Sequence, residues 1–248
     1  IKFFRKIRQK MLTENLPSGQ AGKFSKYLLY AVGEIVLVVI GILIALSINN
    51  WNENRKESNL ELEILSGLYN DIVNNKIKID NMISRDSIII TGNQHILSLL
   101  KDNNSTFNDS LQFSFGNINR YDIFFPQQMA YETLKSKGLH SIKSDSLRKQ
   151  IIELYDETYL INSHIRDLKS EVYSNTYNML NKRLFTTKDI DHKIPNNYND
   201  LKGDTEFLNT LSHITAENEN FQNYSYMMLE KTTTVITEID KEIKRLKK

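Results

Sequence analysis

The sequence predicts an all-α fold: a single transmembrane helix that continues into an antiparallel periplasmic helical bundle, preceded by a short interfacial amphipathic helix. Three observations predict it. The stretch "LLYAVGEIVLVVIGILIALSINNW" (28–51) is apolar almost throughout. Only three prolines and nine glycines interrupt 248 residues, a scarcity of breakers that favours long helices over a sheet. Beyond Trp51, apolar residues recur every three or four positions for most of the chain, the spacing of one buried helix face. The expected divisions are 1–26, a basic head and linker; 27–50, the transmembrane helix; and 51–248, the periplasmic bundle.

The head concentrates positive charge. Lys2, Arg5, Lys6, Arg8, Lys10, Lys23 and Lys26 face a single acid, Glu14, so a chain of net charge +2 is acidic over its remainder. Basic residues beside an apolar run point to anionic lipid headgroups as the partner and away from nucleic acid. Within "IKFFRKIRQKMLTEN" the apolar residues Phe4, Ile7 and Met11 form one stripe with Arg and Lys around it, which predicts a helix lying in the headgroup region. "LPSGQAG" (16–22) then supplies a turn.

From Tyr27 to Ile48 there is one charge. At about 1.5 Å per residue this run reaches roughly 33 Å, close to a hydrocarbon core of ~30 Å. It exceeds the 7–15 residues typical of a signal-peptide core, so the segment is expected to act as an anchor. Seven basic residues precede it and only Arg55 and Lys56 closely follow. Positive-inside asymmetry places the N-terminus in the cytoplasm and everything after Asn49 outside, in the periplasm of a bacterial inner membrane. Tyr27, Tyr30 and Trp51 sit where interfacial aromatic belts are found.

Glu34 lies roughly 10 Å inside the span by helical rise. A carboxylate at mid-membrane costs about 2.5–3.5 kcal/mol on insertion scales, so it needs a reason. Glu34, Val38, Gly41, Ala45 and Ile48 share one face, and Gly41-xxx-Ala45 is a small-xxx-small pair that lets helices approach closely. The first reading is self-association, with Glu34 hydrogen-bonded across the interface or to Tyr30 one turn back. The alternative is an ion-handling acid in a conducting assembly or one coupled to the proton-motive force.

The helix is expected to run on without a break to about Lys101, carrying Leu65, Leu68, Ile72, Ile79, Met82, Ile89, Leu97 and Leu100 on its seam, with Asn75 and Asp86 or Asn93 as polar interruptions. "DNNSTFNDS" is a loop by composition. "FPQQMAYETLKSKG" reads as a short helix with Pro126 in its first turn and Gly138 at its C-cap. A long helix follows, capped by Ser144 or Asp145, with Leu147, Ile151, Leu154, Ile161, Ile165, Leu168, Val172 and Met179 on one stripe. After a break at Pro195, Asn196 and Asn197, a last helix from about Asp204 to Lys247 carries Leu208, Leu211, Ile214, Phe221, Met228, Val235, Ile239 and Ile243. Its final turn is basic, as the helix dipole prefers.

Chemistry is hard to find. The chain has no cysteine, which excludes disulfides, thiolate metal sites and cysteine nucleophiles. His95, His140, His164, His192 and His213 are scattered, without metal-ligand spacing. Asp189, Asp191 and His192 fall together in what reads as a solvated turn. No phosphate-binding glycine loop or nucleophile-elbow motif occurs. The expectation is a non-enzymatic protein that uses no metal and no other cofactor. One segment, 112–138, gathers Phe113, Phe115, Tyr121, Phe124 and Phe125. These rings either cap the end of the bundle or form a surface for another membrane or periplasmic protein.

Three stretches, "IKFFRKIRQKMLTEN", "KFSKYLLYAVGEIVLVVIGILIALSINNWNE" and "AYETLKSKGLHSIKSDSLRKQIIELYD", resemble an uncharacterised family, a domain of unknown function, of single-span membrane proteins from Gram-negative bacteria. The resemblance is strong over 1–55, moderate over 126–156 and faint elsewhere. Its shared features include a glutamate after the span's first glycine, here Glu34 after Gly33, and an exit "INNWNE", here Ile48 through Glu53. Ser47 stands where glutamine is commoner, and "LPSGQAG" lengthens the usual linker. The resemblance implies topology and carries no activity. The functional expectation is a membrane-anchored homo-oligomeric scaffold or interaction module, with ion conduction or coupling through Glu34 as the alternative.

Overall fold

The computed structural model describes residues 20–247 and is mostly helical. The described residues divide into two units, one ending at Glu57 and the other starting at Ser58. Helix α1 (Gln20–Lys101) carries residues of both without interruption, as expected for a stretch that holds no proline.

In the first unit every described side chain from Tyr30 to Glu57 is exposed. That includes a run of Val, Leu and Ile as exposed as Ile35 and Ile48, each at 62%. The segment is near the N-terminus, and its length and composition suffice to cross a membrane.

The second unit is built from the rest of α1, a short helix α2 (Gln112–Gly116), α3 (Met129–Lys137), α4 (Asp145–Ile152), α5 (Tyr159–Arg183), α6 (Tyr198–Gly203) and α7 (Thr205–Leu246). Gly138, at φ 101°, ends α3 in the left-handed region that a side chain resists. The Ser144 hydroxyl caps α4 by accepting from the Leu147 amide. Asp204 does the same for α7, its carboxylate accepting from Phe207 N at 2.9 Å. Arg183, at the end of α5, grips that carboxylate at 2.6 and 3.2 Å and ties the two helices together.

Two apolar cores result. One joins Leu65, Leu68 and Ile72 of α1 to Tyr131 and Leu134 of α3, Leu147 and Ile151 of α4, and Val235 and Ile239 of α7. The other joins Ile96 and Leu100 of α1 to Phe115, Met179, Leu180, Phe207, Leu211 and Ile214. These groupings show that α5 and α7 run antiparallel, whereas α1 and α4–α5 run in the same direction. Strict up-and-down alternation is absent because residues 102–144 carry the chain back before α4 begins.

Three local expectations differ. Helix α3 starts at Met129 and leaves Pro126 in an extended segment, whose backbone is bonded by side chains instead. A two-stranded antiparallel pair, β1 (Leu184–Thr186) with β2 (Lys193–Pro195), follows α5, in the register Leu184↔Pro195. Three-residue strands are too short for any alternation to be read. Most consequential is a π-turn, Glu153–Thr158, between α4 and α5. A π-turn inserts one residue, which rotates everything after it by about 100°. Leu147, Ile151 and Leu154 are buried as read, but Ile161 and Leu168 are 51% and 52% exposed. Their places inside go to Tyr159, Asn162, Lys169, Thr176 and Leu180, whereas Met179, near the end of α5, is buried as read.

Candidate functional site

The rotated helix creates the most unusual chemistry in the second unit, a buried polar layer between the two apolar cores. Lys169 of α5, 5% exposed at its side chain, places Nζ 3.2 Å from Asp86 Oδ2 of α1, which is 2% exposed. The same ammonium stands 5.5 Å from the centre of the Phe221 ring of α7, a cation–π contact. Burial pushes the Asp86 carboxyl above its ordinary value, and the Lys169 charge and hydrogen bond pull it back. Both charges lie out of water, so each is the condition for the other.

Amide side chains hold the extended segment that precedes α3. Asn75 brackets Gln127, donating to its carbonyl at 2.9 Å and accepting from its amide at 2.7 Å. Asn93 donates to Ile118 O, and Asn162 to Phe124 O, both at 2.9 Å. These bonds do for the buried backbone what a neighbouring strand would do. The polar interruptions Asn75, Asp86 and Asn93 on α1 are thus all buried and all in use.

Across the π-turn runs a ladder of rings that the sequence reading missed. Tyr131 stacks on Tyr155 at 4.4 Å, Tyr155 meets Tyr159 edge-on at 5.2 Å, and Tyr159 meets Phe124 at 5.3 Å. Tyr131 Oη donates to Asp156 at 2.7 Å. Burial, with the Asp156 hydrogen bond second, raises the Tyr131 hydroxyl. Burial raises that of Tyr155 as well, and pushes Tyr159 up to about 12. Phenols held in this way stay protonated; Tyr131 and Tyr159 also hydrogen-bond, to Asp156 and Thr232, whereas Tyr155 contributes packing alone. The available cue was Tyr155 and Tyr159 four apart on one helix.

The segment expected to gather aromatic rings divides them instead. Phe115 and Phe124 are buried in different cores. Phe113 and Phe125 are exposed, and Tyr121, half-buried, meets Tyr173 edge-on at 6.0 Å. The five rings therefore form no common surface. Asp189 and His192 do meet, Oδ1 to Nδ1 at 2.7 Å, in the turn between β1 and β2. Among the described residues no group of three or more His, Cys, Asp or Glu could hold a metal ion.

In the first unit, Tyr30, Glu34, Gly41 and Ala45 are exposed along α1, and nothing lies within 4 Å of where a Cβ on Gly41 would stand. Trp51 is exposed, with the Arg55 guanidinium 5.8 Å from its ring centre. Of the expected membrane-surface residues, Lys2, Arg5, Lys6, Arg8 and Lys10 lie outside the described residues. Lys23 and Lys26 lie on α1, but their side chains are also outside the described set.

An apolar helix long enough to cross a membrane by length and composition, followed by a helical domain with a polar middle layer, defines the class. The chain belongs to the DUF6090 family of unknown function, whose model matches residues 34–219. No curated protein and no solved structure matches it.

Proposed function

We propose that this is a bacterial inner-membrane protein, anchored by residues 27–50 with its N-terminus in the cytoplasm. Its helical domain stands in the periplasm, and the protein works as a homo-oligomeric, non-enzymatic scaffold or interaction module. One observation carries the reading: from Ala31 to Ile48 α1 is apolar but for Glu34 and Ser47, and every described side chain on it is exposed. Water would penalise that surface by roughly 25 cal/mol for each Å² left uncovered, whereas lipid accepts it. Glu34 needs shelter within lipid, and the open space at Gly41 permits a second helix to provide it. Anionic headgroups are the expected partners of the basic head.

The lone carboxyl also supports the second reading, ion conduction or coupling. Glu34→Gln separates the two. A scaffold keeps its oligomer and its cellular phenotype, because an amide still hydrogen-bonds. A conducting assembly keeps its oligomer and loses proton flux in reconstituted vesicles. Loss of flux would overturn the scaffold reading. For topology, an alkaline phosphatase fused after Lys248 is expected to be active, and an inactive fusion on a stable protein would reverse the orientation.

A further inference from the structure

The π-turn has a second consequence. By turning Ile161 and Ile165 outward it forms one wall of a groove, with Tyr224 and Met227 of α7 opposite and Met82, Phe124 and Met228 as the floor. The floor residues are at most 5% exposed, while Ile161, Tyr224 and Met227 are about half exposed. The groove's cavity measures about 90 Å³. That is less than the roughly 150 Å³ that admits benzene in an engineered core, so the enclosed part takes only a portion of a chain and the rest lies along the open face between Ile161 and Met227. Three thioethers (Met82, Met227 and Met228) line it, the side chain that adapts most readily to an irregular apolar guest.

Its mouth is positive. Arg166, Lys169 and Lys231 line the groove together with one acid, Asp122. Asp122 is engaged by Arg85 at 3.0 Å, and Lys169 by Asp86. Lys231 makes no ion pair among the described residues, whereas Arg166 is shared between its exposed neighbour Asp167, at 3.4 Å, and the face of the Phe125 ring, 5.5 Å from its centre. Thr158, the last residue of the π-turn, also lines the groove and has a buried hydroxyl without a hydrogen-bond partner. An open apolar groove with a cationic rim, at which Lys231 has no ion-pair partner among the described residues, describes one ligand chemistry.

We propose that this groove binds a single-chain anionic amphiphile, with its tail against Met82, Phe124 and Met228 and its head beside Lys231 and Arg166. A free fatty acid and a lysophospholipid share that chemistry. The proposal goes beyond the scaffold reading and does not depend on Glu34 or on self-association.

The test uses the full chain in nanodiscs of zwitterionic lipid, photolabelled with a diazirine analogue of dodecanoate and mapped by mass spectrometry. Saturable labelling of groove residues is expected. Lys231→Glu and Ile161→Trp, both exposed positions that leave the fold intact by circular dichroism, should each reduce it at least fivefold. Unlabelled dodecanoate or lysophosphatidylglycerol should compete, and whichever competes at lower concentration identifies the source. Dodecyltrimethylammonium should not. Labelling confined to residues 27–50, labelling unchanged in either variant, or equal competition by the cationic amphiphile would overturn the proposal.

Discussion

Helices α5 and α7 lie against each other in one domain, yet only α5 buries a charge and leaves large apolar residues outside in its place. α7 buries Phe207, Leu211, Ile214, Phe221, Met228, Val235 and Ile239, with the small or neutral polar residues Thr215, Asn218, Ser225 and Thr232 between them and no charge. α5 buries Asn162, Lys169 and Thr176 through its middle, with Tyr159, Met179 and Leu180 buried at its ends, and leaves Leu160, Ile161 and Leu168 in the open. The difference comes from one residue. Without the π-turn the α-helical phase set by Leu147, Ile151 and Leu154 would continue into Ile161, Ile165 and Leu168. With it, the inward face passes to the polar set. An apolar seam tolerates loss in proportion to the volume removed, whereas a buried ion pair tolerates loss only when both partners go together.

The largest effects should test that contrast directly. Lys169→Ala leaves Asp86 buried and alone and should cost about 3–5 kcal/mol in denaturant unfolding. The double variant Asp86→Leu with Lys169→Met should recover most of that loss. Phe207→Ala on α7 should cost about 3–5 kcal/mol as well, but no second substitution at a charged site should restore it. If the double variant were no more stable than Lys169→Ala, the pair would be irreplaceable and the contrast would fail.

Deleting Glu157 removes the extra residue and should turn α5 back by about 100°. Lys169 then leaves Asp86, so stability should fall by about 3 kcal/mol or more. Adding Asp86→Leu should recover part of it, because the returning Ile161 and Leu168 then meet an apolar partner. An unchanged melting curve on deletion would mean that the π-turn does not set the register.

Smaller effects are expected where the two helices join. Asp204→Ala removes the α7 cap and should cost about 1 kcal/mol. The Arg183 hydrogen bond, with the Phe207 amide second, holds the Asp204 carboxyl below its ordinary value of 3.8. Its stabilisation is therefore fully present above pH 3.8 and is lost as the pH falls further, through the lowered value. Acid titration of stability should show a shallower loss in the Asp204→Ala variant than in the parent. The smallest effect is expected on the outward stripe. Ile161→Ser and Leu168→Ser should each stay within about 0.5 kcal/mol, where the same change at Leu211 would be severe.

Much of this was legible in the chain. The absence of proline from 20–101 announced α1, Ser144 or Asp145 announced the cap of α4, Asp204 marked the approximate start of α7 without its capping role, and Gly138 announced the end of α3. Asn75, Asp86 and Asn93 were visible as interruptions of a seam, although what they bind was not. The π-turn left no mark, because one inserted residue changes no composition and Ile161, Ile165 and Leu168 continue the older phase. The groove, the Asp86–Lys169 pair and the tyrosine ladder all depend on it and were hidden with it. The rings of 113–125 looked like one surface because sequence proximity stood in for space. In fact Phe115 and Phe124 enter different cores.

The most direct test of the anchor and its pairing face uses the lack of cysteine in the chain. Single cysteines at Val38, Gly41 and Ala45, and at Val36 and Leu43 on the opposite side of the helix, can be oxidised in native membranes without background. The account predicts disulfide-linked dimers at 38, 41 and 45, little at 36 and 43, and resistance of all five proteins to alkaline extraction. Equal cross-linking around the helix, or release of the protein by alkali, would contradict it.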